Sequence, residues 1–569
     1  MAVSSGFGAG GSELVRLDGA VAGAVDYKGR PVLRSFSGGW GSAIFIIGVE
    51  VAERFAYYGI SSNLVTYLTG PLGQSTAKAA TNVNAWSGTS ALLPLLGAFV
   101  ADSFLGRYRT IILSSLVYIL GLGLLTLSAV LPSLRSSDCK TNLNSCSSPK
   151  YQVILFFFSL YLVAVAQSGH KPCTQAFGAD QFDGEDPEEC KAKSSFFNWW
   201  YFGVCSGAVV TILLLSYIQD NLSWALGFGI PCIAMVFALV FFLLGTRIYR
   251  YSIKQNQKNP FVRIGCVFVA AFRNWRATPP TIVADEESHG LLPSQQFKFL
   301  NKALVRPGDL KDNVKVCSVA EVEEAKAVLR LVPIWATCLV YAISFAQSTT
   351  FFTKQGATMD RTIVAGLRIP PAALQCFIGI SIVVFVTIYD RIFVPIARSY
   401  TKKPNGITML QRIGTGIVIS SFSMVVAALV EMKRVKTAQN FDLVDIPKAT
   451  IPLSVWWLVP QYLLFGLADV FTIVGLQEFF YDQVPKELKS IGLALYLSVL
   501  GVGSFLSSLL VSIIEASTEK KGQESWFPNN LNRAHLDYFY WLLAGLSLVA
   551  FAAFLFFSRS YIYNRAVLA

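Results

Sequence analysis

Long apolar stretches separated by short polar intervals recur along the whole of this chain. Twelve of them reach about 20 residues or more, the length at which a helix rising about 1.5 Å per residue crosses a bilayer core. They run roughly over 40–67, 77–101, 110–132, 151–177, 195–218 and 223–246, then over 328–352, 370–396, 411–431, 454–480, 488–515 and 536–558. The pattern predicts an all-α membrane protein. One long hydrophilic interval divides the stretches into two sets of six. The expected organisation is a tail (1–39), a six-helix bundle (40–246), a linker (247–327), a second six-helix bundle (328–558) and a short end (559–569). Two such bundles place any path through the membrane between them.

The first stretch breaks the apolar pattern in its middle, where Glu50, Glu53 and Arg54 stand. Ten residues from Trp40 put Glu50 roughly 15 Å deep, near the centre of the bilayer. A charged group there costs at least ~2.5–3.5 kcal/mol, so these three must face protein or a water-filled cavity. Positions 50, 53, 54 and 57 lie on one narrow helical face, so the two carboxylates, the guanidinium and the Tyr57 hydroxyl look the same way. One arginine does not neutralise two neighbouring carboxylates. The pair is expected to titrate as a unit and to hold a labile proton. The competing reading is an ion triad that only locks helices together, but a buried ion pair is weak support for stability.

Composition agrees with a membrane protein and excludes other classes. The 569 residues are 53% hydrophobic and 14% charged, where a soluble chain carries about 25% charge. The net charge of +12 is not a nucleic-acid footprint, because Lys and Arg gather in loops beside apolar runs. Arg107, Arg109, Arg398, Lys402, Lys403 and fourteen basic residues between Arg247 and Arg330 fall on one side if the N-terminus is cytosolic, which puts the C-terminus there too. Lys433, Arg434 and Lys436 fall on the opposite side, against this trend. Ten cysteines lack metal-ligand spacing and the three histidines make no cluster, so neither metal nor other cofactor is expected. Cys139 and Cys146, in a loop on the outer side, are the candidate disulfide. Within the linker, 259–275 reads as an amphipathic helix and 284–314 as a polar tether. The first 38 residues hold no signal-peptide core.

Four strings carry a family resemblance. GAFVADSFLGRYRT (Gly97–Thr110), at the end of the second stretch, resembles the loop-two motif of the major facilitator superfamily. EVAERFAYYG (Glu50–Gly59) is similar to the ExxER motif of proton-coupled oligopeptide transporters. GHKPCTQAFGADQFD (Gly169–Asp183) and TMDR (Thr358–Arg361) resemble the plant nitrate/peptide transporter branch of that family. The resemblance extends from about Gly38 to Arg559. It implies a major facilitator fold of twelve transmembrane helices and proton-driven symport by alternating access.

Residue by residue, the resemblance assigns Glu50, Glu53 and Arg54 to proton coupling. It makes Lys171, in the fourth stretch, the basic partner of those carboxylates. A lone intramembrane lysine needs an anion, and exchange of a protein carboxylate for substrate would make it a switch. Asp469 stands where the family usually carries Glu, one methylene shorter in reach. It suits a substrate amine or a basic group across the cavity, or else caps a kink near Gly466. Tyr57, Tyr58, Gln347 and Thr349 are candidate pocket residues, with helix packing the alternative for the last two. Two departures matter. The histidine that reads nitrate in one branch of the family is replaced by Phe345, and Cys205 stands where Asn is common.

The expected function is a proton-coupled symporter of nitrate or a related small anion in the plasma or vacuolar membrane. Alternatives are a symporter of di- or tripeptides, of hormones or of other metabolites, and, from another class, a nutrient sensor with little flux. The partners are a small substrate, protons and the lipid bilayer, without nucleic acid. An enzyme is not expected, since no stretch pairs a nucleophile with a base.

Overall fold

A computed structural model of the chain describes residues 20–134, 150–183, 186–252, 260–275, 296–304, 317–364, 367–402, 407–447, 449–484, 488–519 and 525–561. Cys139 and Cys146 lie outside them. The first half contains helices α1 (Gly39–Ser61), α2 (Thr76–Val100), α3 (Arg107–Leu134), α4 (Lys150–Ala179), α5 (Pro187–Asn221) and α6 (Trp224–Leu244). The second contains α7 (Val319–Phe345), α8 (Cys376–Ile388), α9 (Met409–Asn440), α10 (Val459–Asp482), α11 (Lys489–Thr518) and α12 (Leu536–Arg559). Among the described residues, eleven segments are long and apolar enough to cross a membrane. α1, 23 residues long, carries three charged groups in its middle and makes the twelfth helix of the arrangement.

Several helices differ in extent from the apolar runs. The first run is broken after Ser61 and resumes as a short helix, Leu64–Thr69. At the break, the Asn63 amide donates to Gln219 (3.2 Å) and Asp220 (2.9 Å) of α5. The eighth span continues from α8 through a π turn at Tyr389–Phe393 into Val394–Thr401. α5 starts eight residues ahead of its apolar run because Asp186 caps it, accepting from the amides of Glu188 and Glu189.

The N-terminal tail is partly ordered, which the apolar pattern did not indicate. β1 (Ala20–Val25), β2 (Pro31–Leu33) and β3 (Tyr251–Ser252, after α6) form an antiparallel sheet in the order β2-β1-β3. The turn between β1 and β2 is closed by Asp26, whose carboxylate accepts from the amides of Lys28 and Arg30 (both 2.8 Å). Arg34 then reaches Asp183 and Asp186 (both 2.7 Å) at the start of α5. Arg250 joins Glu189 (2.6 Å) to the Ser37 carbonyl (2.7 Å). The linker contains a helix, Pro260–Arg273, that buries Ile264, Val267 and Ala271 against Leu300, Ala303, Val322 and Ala325 of the second half.

The tail end of the bundle and the opposite, far end are joined differently. Among the described residues, five hydrogen bonds that cross between the halves lie toward the far end. Gln375 donates to the Ser62 carbonyl (2.8 Å), Lys354 to Thr69 (3.0 Å), Asn84 to Ser507 (3.0 Å), Ser508 to the Thr81 carbonyl (3.0 Å) and the Thr76 amide to Asn529 (3.3 Å). α2 and α11 touch closely there, since a Cβ on Gly88 would sit 2.9 Å from the Gly501 carbonyl oxygen. Gly97, in the GAFVAD string, does the same between α2 and α4: a Cβ would overlap the Ser168 carbonyl.

Two of the three basic residues that ran against the charge trend find their reason in packing. Arg434 is wholly buried and bonds both oxygens of Glu431 (2.6 and 2.8 Å), Asn532 (3.0 Å), Thr358 (3.2 Å) and the Leu531 carbonyl (2.7 Å). Lys433 sits 3.3 Å from the centroid of Trp457, and Lys436 is exposed. Arg434 is thus a paired structural charge rather than a loop charge.

Candidate functional site

The site grows from α1. Its apolar residues Ile46, Val49 and Ala56 pack inward, and the same rotation buries Glu50 (1% exposed), Glu53 (0%) and Arg54 (5%). Arg54 lies between the carboxylates. Its guanidinium pairs tightly with Glu53 and stands 3.4 Å from Glu50. Glu53 also accepts from the Tyr118 hydroxyl of α3 (3.4 Å), and Glu50 from the Thr174 hydroxyl of α4. The guanidinium carbon is 5.4 Å from the centre of the Tyr57 ring. That ring stacks on Trp86 at 5.6 Å, and Trp86 is pinned by a bond to the Leu160 carbonyl (3.0 Å). The guanidinium between the two carboxylates is therefore backed by stacked aromatic rings.

Lys171, half-buried on α4, faces the triad electrostatically, yet among the described residues it makes no hydrogen bond or ion pair. The first half thus presents two carboxylates, one bonded guanidinium and one unbonded ammonium. Asp469 lies in the second half, on α10, 7% exposed, with Tyr341 of α7 donating to it. Tyr58 from the first half and Tyr496 from the second lie within electrostatic reach of its carboxylate. Phe345 neighbours this pair, its ring 6.5 Å from Tyr341 and 6.2 Å from Phe465.

Two candidate pocket residues sit elsewhere. Gln347 is fully buried and donates to Ser507 (3.0 Å) and the Ile343 carbonyl (2.8 Å), which puts it in the far closure beside Asn84. Thr349 bonds the Ala346 carbonyl of its own turn (3.4 Å). Tyr57 and Tyr58 belong to the aromatic layer around the triad.

Sequence reasoning missed His170, which looked isolated because its partners come from another helix. Its ring is completely buried and its Nδ1 is 3.9 Å from Glu50. Glu50, Glu53 and His170 bring ligand atoms within 4.8 Å of one another. The Arg54 guanidinium already occupies the cationic position between both carboxylates, with Lys171 facing the same space, so the donor set does not fit a metal ion.

The model of a family described as the POT family (PTR2) matches residues 108–527. Protein NRT1/PTR FAMILY 5.10 of Arabidopsis thaliana is 68% identical over 545 residues, covering 95% of this chain and 96% of that protein. NRT1/PTR FAMILY 5.14 of the same plant is 60% identical over 556 residues, covering 97% and 99%. Among solved structures, the POT family transporter PepTSo superposes with a TM-score of 0.67 at 21% identity, over 92% of this chain and 98% of that one. A POT family transporter in complex with 5-aminolevulinic acid superposes with a TM-score of 0.62 at 16% identity, over 92% and 97%.

Proposed function

Because the chain belongs to the POT family of multi-pass membrane transporters, in its NRT1/PTR branch, we propose that it is a proton-coupled symporter of nitrate or a related small anion. The observation that carries this reading is Lys171, a cation facing two carboxylates that are already bonded to Arg54 and leaving its own ammonium unfilled. An unpaired charge at membrane depth is costly, so it is kept where a ligand is to neutralise it.

The chemistry follows from charge balance. With both carboxylates ionised, their two negative charges balance the positive charges of Arg54 and Lys171, and an added anion would leave the compartment net negative. A proton taken by the Glu50/Glu53 pair removes one negative charge and releases cationic character toward the cavity. Anion and proton then share one compartment that is close to neutral, and the halves rock past it without carrying bare charge through a constriction of low dielectric. Importing more protons than anionic charges gains ~2.3 kcal/mol per net charge per 100 mV of membrane potential. The far closure corresponds to one access state and the tail end to the mouth then open. Lys and Arg distribution supports cytosolic termini, in the plasma or the vacuolar membrane.

Asp469 favours a second reading. A carboxylate across the cavity from Lys171 suits a substrate with both amine and carboxylate, such as a di- or tripeptide, with Tyr341 releasing Asp469 to the amine. Voltage clamp in a heterologous cell separates the readings. Nitrate should evoke inward current at acid but not neutral external pH, and dipeptides should not. Current with dipeptides alone overturns the anion reading, and no current with nitrate, dipeptides or hormone acids leaves the sensor.

A further inference from the structure

We infer that His170 is a positioning residue of the proton site, which accepts the proton-bearing oxygen of Glu50 at Nδ1 and so holds the loaded state. This rests on the proton-site reading above and adds to it a residue that takes part only after protonation.

The argument is one of hydrogen-bond capacity. His170 is 0% exposed, and neither Nδ1 nor Nε2 has a hydrogen-bond partner among the described residues. Buried polar groups are ordinarily bonded, so an imidazole with both nitrogens idle is a group waiting for a different state of its surroundings. The nearest carboxylate oxygen is Glu50 Oε2, at 3.9 Å from Nδ1. With Glu50 ionised and the imidazole hydrogen on Nε2, the facing atoms are two acceptors, which repel rather than bond. When Glu50 takes a proton its O–H needs an acceptor in a dry interior. Arg54 offers only donors. The Glu53 oxygens are engaged by Arg54 and Tyr118, and the Thr174 hydroxyl, whose single hydrogen goes either to Glu50 or to the His170 carbonyl (3.1 Å), is the competing acceptor. The bare Nδ1, unlike the Thr174 hydroxyl, is an acceptor with no hydrogen bond of its own among the described residues. A closure of about 1 Å brings it within bonding range of Oε2.

The charged and titratable groups around Glu50 are consistent with this. From α1 they are Glu53, Arg54, Tyr57 and Tyr58; from α3, Tyr118; from α4, Lys171 and His170 itself; from α5, Cys205 beside Tyr58. α6 carries no charged side chain. Arg54 and Lys171 are both cations, which disfavours a second positive charge on the imidazole. The neutral ring with hydrogen on Nε2 is the form that receives, so the proton stays on Glu50.

The test is proton-driven uptake of nitrate across the pH range by the full chain in proteoliposomes. His170→Phe keeps the ring volume and removes the acceptor, and should move the half-maximal uptake about one pH unit toward acid, a roughly ten-fold weaker hold on the proton. His170→Asn carries an acceptor near the place of Nδ1 and should restore most of the shift, whereas His170→Gln, whose amide reaches the place of Nε2, should not. An unmoved midpoint in His170→Phe, or equal behaviour of the Asn and Gln variants, overturns the assignment. If the Phe variant does not reach the membrane, the Asn–Gln difference decides alone. Glu53→Gln in the same vesicles reports on the proton site itself. Uptake that keeps its pH dependence in that variant overturns the underlying reading, whereas loss there beside an unmoved His170→Phe overturns only the role of His170.

Discussion

Two buried arginines, Arg54 in the first half and Arg434 in the second, occupy clusters of opposite character. Arg434 meets one carboxylate, and all three of its nitrogens are bonded, to Glu431, Asn532, Thr358 and the Leu531 carbonyl. Arg54 meets two carboxylates, stands near an unbonded Lys171 and faces an imidazole with both nitrogens idle. A saturated one-to-one pair has no reason to change with pH or ligand. A cluster with an unbonded ammonium and an unbonded imidazole can gain hydrogen bonds in another state, as the proposed coupling site requires. Charge count and hydrogen-bond saturation together separate the two clusters here, where burial alone does not.

That contrast is broken or sharpened by substitution, the largest effect first. Arg434→Leu strands a buried Glu431 and should cost about 3–5 kcal/mol, read as loss of folded protein in detergent by fluorescence-detected size exclusion. Lys171→Gln should leave the protein at wild-type abundance while proton-driven uptake falls to background in a flux assay. The same loss of abundance in both would erase the distinction. Asp469→Asn weakens the Tyr341 bond to a charged acceptor, worth about 1.5–3 kcal/mol, so substrate affinity in a binding assay should change at least ten-fold. Asn84→Ala removes one bond of the far closure, about 1 kcal/mol, and should shift the balance between access states about five-fold, read by cysteine accessibility from the two sides.

The smallest effect concerns the tail. Burial raises the Glu189 carboxyl, but the bonds from Arg250 and the Asp183 amide, with the charges of Arg250 and Arg34, together outweigh it, so Glu189 lies below the usual carboxylate range. A depressed carboxyl contributes stability that is present at neutral pH and lost as pH falls through its folded value. Hydrogen exchange of the β1–β2 amides should therefore stay slow down to roughly pH 4 and accelerate below it.

The span count was legible because apolar length is a strong signal, and α1 was the most informative span because its charges interrupt that signal. What escaped lay in contacts between distant segments. The β1–β2 hairpin has only the Asp26 to Arg30 turn to announce it, and its third strand comes more than 200 residues later. Arg434 read as a loop charge because its partner Asn532 is nearly 100 residues away in sequence. Gln347 reads as a pocket residue until Ser507 and Asn84 are seen beside it. His170 is next to Lys171 in sequence, but only the packing of α4 on α1 brings it to Glu50.

The most direct test is simultaneous measurement of nitrate entry and internal acidification in vesicles bearing the wild-type chain or Glu53→Gln, with no imposed pH gradient. The wild type should acidify the lumen as nitrate enters, and Glu53→Gln should show neither signal at wild-type protein content. Nitrate entry without acidification in the wild type, or undiminished acidification in Glu53→Gln, would contradict the claim that the acidic pair of α1 carries the coupled proton.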